Sequence, residues 1–160
     1  MATEKLKETD YQALAEFRYQ IRCFLRFSEQ AARALGLEPQ QHQVLLAIKG
    51  LSPERAATIG VIAERMQLAH HSIVEMVDRL EERELVCRRR NETDRRQVTV
   101  ELTTAGQEIL AKLSLPHLKE MGTIGPALVE VLNRFVQKSG FSERKLRLIK
   151  NRSAGRQNNG

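Results

Sequence analysis

Between Ile59 and Asp78, the positions of a few side chains restrict how the chain can fold. Ile62, Met66, Leu68, Ile73 and Met76 stand where two short helices joined by a tight turn would bury their mutual contact, and the small Ala63 stands where the second helix must come closest to the first. The turn runs from Gln67 to Ala69 and has Gln67 where glycine is usual. Thr58 is placed to cap the first helix. On the second helix, about 70–84, Ile73, Met76, Val77 and Leu80 recur at i, i+3, i+4 and i+7, which makes one apolar face. This is a helix-turn-helix register, a pattern that on its own also arises by chance.

The next segment of chain narrows the choice. The period drops to two: 85–90 and 98–102 read as short strands, the second alternating Val98, Val100 and Leu102 with Thr99 and Glu101, around a polar loop from Asn91 to Gln97. A helix-turn-helix backed by such a ribbon is a winged helix, so the fold class is mainly α with a small two-stranded antiparallel wing. Upstream, about 10–35 forms a long amphipathic helix stopped at Gly36, its apolar stripe wide enough that part of it should face another chain. Pro39 opens a second helix that ends near Gly50. Downstream, Thr104 and Gln107 stand at capping-box spacing ahead of a helix that Pro116 is expected to kink or restart and Gly122–Pro126 to break again. The stripe Leu128, Val131, Leu132, Phe135 and Val136 closes the ordered part. The expected regions are a helical pair at 10–36 and 104–138, a winged helix at 39–103, and a basic, partly disordered extension at 139–160.

Composition sets the context. At 160 residues the chain is one domain with at most an appendage. Two cysteines supply no disulfide framework, and no apolar run is long enough for a membrane span, so the expectation is a soluble, reduced, cytoplasmic protein. The net charge is +6, but residues 131–160 alone hold eight basic residues against one acidic, and the winged segment is close to neutral. Within it, residues 88–96 carry five arginines against Glu92 and Asp94, a local basic prong beside the acids Asp78, Glu81, Glu82 and Glu84. The basic tail is expected to add non-specific affinity for DNA.

The candidate DNA contacts are found by subtraction. With one face of the 70–84 helix buried, His70, His71, Ser72, Glu75 and Arg79 remain outward, the first three at the N-terminal end, where backbone N–H groups also favour phosphate. Thr58 is a candidate phosphate contact. Arg88, Arg89 and Arg90 on the rising strand and Arg95 and Arg96 at the tip can reach a neighbouring groove. For each charged residue among these the plain alternative is a solvated surface charge.

Thr58-Ile-Gly-Val-Ile-Ala-Glu-Arg-Met66, Val77-Asp-Arg-Leu-Glu-Glu-Arg-Glu-Leu-Val86, Asp94-Arg-Arg96 and Leu102-Thr-Thr-Ala-Gly106 together resemble the MarR family of bacterial transcription regulators over roughly residues 10–138. The Asp-Arg-Arg tip followed by Leu-Thr-x-x-Gly is the specific part. The resemblance implies a homodimer paired through its first and last helices, two winged helices on a pseudo-palindromic operator, and most often repression. It also implies that Arg95 or Arg96 enters the minor groove, and that a small-molecule effector binds between the dimerisation helices and the winged unit. Tyr19, Arg22 and His42 are the polar candidates for that ligand, although a histidine placed like His42 is more often a hydrogen-bonded structural residue. Glu84 replaces the family's glycine before the wing, a turn that is then expected to do without left-handed backbone freedom.

Other chemistries fare worse. His70 and His71 point about 100° apart on a helix and have no Cys or His neighbours, so no metal or other cofactor is expected. Cys23 beside Arg22, and Cys87 beside Arg88, are candidate redox thiols or small apolar fillers. No phosphate loop, nucleophile elbow or paired acid/base spacing points to an enzyme. The runner-up is a dimeric winged-helix protein-interaction module without specific DNA binding.

Overall fold

A computed structural model describes residues 6–90 and 97–138. The order is α1 (Glu8–Ala34), α2 (Pro39–Lys49), α3 (Ile59–Met66), α4 (His70–Glu82), β1 (Val86–Arg90), β2 (Val98–Leu102) and α5 (Thr104–Lys138). The expected elements are all present; the expected tip residues Arg95 and Arg96 and the extension 139–160 lie outside the described residues. The described residues divide into two compact units, residues 25–120 and the terminal stretches on either side, so α1 and α5 each contribute to both.

In the central unit, Val44, Leu45, Ile62, Ile73, Val77 and Leu80 are fully buried and form one core with Ala32, Leu37, Val86, Val100 and Leu113. Each buried aliphatic side chain of this kind contributes about 1.5–3 kcal/mol. The wing is an antiparallel pair in the register Val86↔Leu102, Arg88↔Val100 and Arg90↔Val98. It is tied to the helices through its inner face, where Val86 and Val100 are buried and the Val100 N–H donates to Ala57 O at 2.9 Å.

Three helix ends share one device. After α1, α3 and α4, the residues Gly36, Gln67 and Glu84 take left-handed backbone conformations, with φ of 72°, 54° and 56°. In each case the next residue, Leu37, Leu68 or Leu85, donates its N–H five residues back, to Ala32 O, Ala63 O or Leu80 O. The turn at Glu84 therefore adopts the left-handed conformation without glycine, contrary to expectation. Leu85 is buried at this turn and packs in the core with Leu80, which outweighs the strain of a Cβ at positive φ. Replacing the exposed Glu84 with glycine removes that strain, and Glu84→Gly is expected to raise stability by about 0.5–1 kcal/mol in urea unfolding.

Two further expectations are corrected in α5. The cap is Thr103, not Thr104: its Oγ1 accepts from the Gly106 N–H at 3.0 Å and its hydroxyl donates to Glu84 O at 2.6 Å. The helix also runs unbroken for 35 residues through Pro116 and Gly122–Pro126. Proline leaves one carbonyl of the preceding turn without its helical partner. Around that gap the Ser114 hydroxyl donates to Leu110 O at 2.8 Å, and His117 Nδ1 lies 2.5 Å from Leu113 O. Leu110 and Leu113, before the proline, are buried in the core of the central unit, and Ile124 and Val131, after it, are buried in the terminal unit.

The terminal unit pairs the first half of α1 with the last part of α5. Phe17 meets Phe135 edge to face at 6.0 Å, and Lys138 bonds Asp10, which lowers the Asp10 pKa. Large apolar side chains nevertheless stay exposed, including Tyr11, Leu14, Tyr19 and Ile21 on α1 and Val129 and Leu132 on α5. No described helix is long and apolar enough to cross a membrane.

Candidate nucleic-acid interface

Helix α3 is positioned by the cap that precedes it. Thr58 Oγ1 accepts from the Val61 N–H at 3.3 Å and fixes the start of α3. Arg55 bonds Glu64 at 2.5 Å and pins the loop leading into it. Helix α4 begins differently: its N-cap is Ala69, which has no side chain able to accept from the first turn. The first-turn N–H groups of α4 thus remain without a side-chain acceptor, at the positive end of the helix.

The outer face of α4 is as expected. His70, His71, Glu75 and Arg79 are exposed and Ser72 is half-buried, while Ile73, Met76, Val77 and Leu80 face the core. The α4 N-terminus and the wing thus present polar groups on elements fixed by a shared core.

The wing arginines do not behave alike. Arg90 is exposed. Arg89 is also exposed and lies 3.6 Å from Glu101 across the ribbon. Arg88 turns back to α4: its Nη2 bonds Asp78 Oδ1 at 2.5 Å and its Nη1 bonds Glu81 Oε2, while its backbone N–H donates to Glu81 Oε1 at 2.9 Å. Partial burial works against the Arg88 charge, but the two carboxylates outweigh it and raise its pKa further. Two of the four carboxylates of the acidic shoulder expected on α4 are accordingly paired with Arg88 from within the protein. Composition could not show this, because it depends on which residues of α4 face β1.

The three ligand candidates fall in different places. Tyr19 and Arg22 are exposed on α1 in the terminal unit; a hydrogen bond with Cys23 and then its charge raise the Tyr19 pKa. His42 is buried in the central unit, its ring 4.8 Å from that of His117 and its Nδ1 without a hydrogen-bond partner. His117 is held by Leu113 O at Nδ1 and by the Ser28 hydroxyl, 2.8 Å from Nε2, an arrangement that assigns the proton to Nδ1. Sequence reasoning did not find this imidazole pair, because 75 positions separate its members and no local spacing joins them. Cys23 and Cys87 are free and half-buried, and the described residues contain no cluster able to hold a metal ion.

Burial, and then the neighbouring His117, lower the His42 pKa. The folded state therefore favours neutral His42. Its contribution is complete above the unfolded imidazole value of about 6.5 and is lost as pH falls from there toward the lower folded value. Thermal unfolding between pH 8 and pH 5 should show a larger acid-induced drop in Tm for the wild type than for His42→Leu; parallel curves would contradict it.

Comparison with known proteins gives a consistent picture. Residues 35–97 match the sequence pattern of the MarR family. The HTH-type transcriptional repressor MdtR of Bacillus subtilis (strain 168) is 35% identical over 80 residues, covering 48% of this chain and half the length of that relative. Among solved structures, a MarR family protein from Bacillus stearothermophilus superposes with TM-score 0.64 at 21% identity, over 94% of this chain and 99% of that one. The S. aureus MepR–DNA complex superposes with TM-score 0.60 at 19% identity, over 86% and 92% respectively.

Proposed function

We propose, from the premise that residues 35–97 belong to the MarR family, that this protein is a sequence-specific double-stranded DNA-binding transcription regulator, acting as a repressor. The observation that carries this reading is the outward polar face of α4, its first-turn N–H groups without a side-chain cap, beside a two-stranded wing with exposed Arg89 and Arg90. Helix α4 enters the major groove. There His70, His71, Ser72, Glu75 and Arg79 face base edges and phosphates, and Thr58 adds a phosphate contact. The wing arginines Arg89, Arg90, Arg95 and Arg96 approach the adjacent minor groove. The Bacillus subtilis relative, a transcriptional repressor, and the DNA-bound structural relative both favour the reading.

A second copy of the chain covers the exposed apolar residues of the terminal unit, with 10–36 and 104–138 as the dimerisation region. Such a dimer presents two winged helices to half-sites about one helical turn apart. Release by a small ligand, or by oxidation at Cys23, acts by favouring a spacing of the two α4 helices that no longer fits both half-sites.

The test is selection of duplexes from a random pool, followed by footprinting and by light scattering of the free protein. The expected results are a pseudo-palindromic protected site and a solution dimer. A well-folded chain that enriches no sequence would overturn the reading in favour of a protein-interaction module.

A further inference from the structure

Arg88 occupies an unusual place for a charge. It stands opposite the buried Val100, on the strand side it shares with buried Val86, and its side chain is only 28% exposed, against 67% for Arg89. Both of its partners come from one helix, Asp78 and Glu81, three residues apart on α4, so they present two carboxylates along the same line facing β1. Glu81 engages the residue twice, accepting from the backbone N–H of Arg88 as well as from its guanidinium. The main chain of β1 is thereby held as well as the side chain. A planar guanidinium shared between two carboxylates fixes direction as well as distance, which an apolar side chain packed in the same place would not do.

We infer that Arg88 is a positioning residue, the strut that sets the wing against helix α4, and not a direct contact to DNA. The inference rests on the DNA-binding reading above and refines it. A duplex offers its major and minor grooves at a fixed separation, so the protein recognises a correct site only if helix and ribbon are held at the matching separation before they meet it. Loosening the strut leaves the other cations free to find phosphates on any duplex, and it weakens chiefly the complex in which both grooves must be filled together. Removing a phosphate contact weakens every complex alike and lowers the salt dependence.

The experiment compares the full-length wild type with Arg88→Gln, Arg88→Lys and Arg90→Gln, using the duplex enriched by the wild type from a random pool and a random-sequence duplex, across a salt series. For Arg88→Gln the expected result is an about three- to tenfold loss on the enriched duplex, no loss on the random one, and an unchanged slope of log K against log salt. Arg88→Lys, which keeps the charge but not the fork, should fall between. Arg90→Gln should weaken both duplexes and lower the slope by about one per protomer. If Arg88→Gln instead lowers the slope and weakens both duplexes equally, Arg88 is a phosphate contact and the inference falls. It falls too if discrimination is unchanged in a folded variant, since the pair then serves stability alone. A wild type that enriches no duplex would overturn the DNA-binding reading. The lock itself is read without DNA, by hydrogen exchange at the Arg88 amide: Glu81→Ala, which removes the acceptor, should speed it, and unchanged protection would sink the strut.

Discussion

Gly106→Ala is expected to destabilise the protein by about 3 kcal/mol or more, lowering Tm by roughly 10 °C. Gly106 lies in the first turn of α5, where that turn meets the start of the wing. A Cβ built there would fall 1.9 Å from Leu85 O and 2.9 Å from Leu85 C, and both are backbone atoms that no rotamer change can move. Leu85 O is itself engaged, accepting from the Thr103 N–H at 3.1 Å. A shift that made room would therefore disturb the left-handed turn at Glu84, the α5 cap at Thr103 and the entry to β1 together. Gly122→Ala is the matched control: a Cβ there meets nothing within 4 Å in the middle of the same helix, so helix propensity alone predicts a gain of about 0.5–1 kcal/mol. Urea unfolding of the two variants checks the contrast, and equal effects would show that the close approach to Leu85 has no energetic weight.

Arg95→Ala combined with Arg96→Ala is expected to reduce affinity for the enriched duplex at least about 100-fold at physiological salt, with the salt slope lowered by about two per protomer. Nine residues, 88–96, hold five arginines. Arg88 is committed to Asp78 and Glu81, and Arg89 has Glu101 within 3.6 Å. On the proposed reading, much of the wing's attraction for DNA falls to Arg90 and the two tip residues. Far-ultraviolet circular dichroism and Tm should stay close to wild type, since residues 91–97 are polar throughout. Gel shift and a salt series decide the matter; unchanged affinity in the double variant would remove the wing from the interface and leave helix α4 to act alone.

Most of the secondary structure was legible because it depends on the order of side chains along the chain. The i, i+3, i+4 and i+7 spacing of Ile73, Met76, Val77 and Leu80 gave α4, and the alternation of Val98, Val100 and Leu102 gave β2 with its observed bounds. Where the reading failed, a local rule met a stronger non-local term. Pro116 and Gly122 signalled breaks, yet α5 is continuous, with the Ser114 hydroxyl and the His117 ring engaging carbonyls around the proline. Thr104 had the capping spacing, yet Thr103 is the residue that Glu84 O engages. Glu84 lacked glycine's freedom, yet burial of Leu85 imposes the left-handed turn, and an apolar residue just after a helix end was the available signal.

Of the candidate interface, the sequence could say which residue types stood on the outer face of α4 and how many arginines the ribbon carried, because both depend only on periodicity and counting. It could not apportion those arginines. That Arg88 faces Asp78 and Glu81, that Gly106 lies against the carbonyl of Leu85, and that the His42 ring lies tilted beside that of His117 are all meetings between residues from 7 to 75 positions apart. The tertiary structure decided them, because the choice of partner for a charge or a small residue is made by whichever segment packing brings alongside it, and no local spacing records that choice.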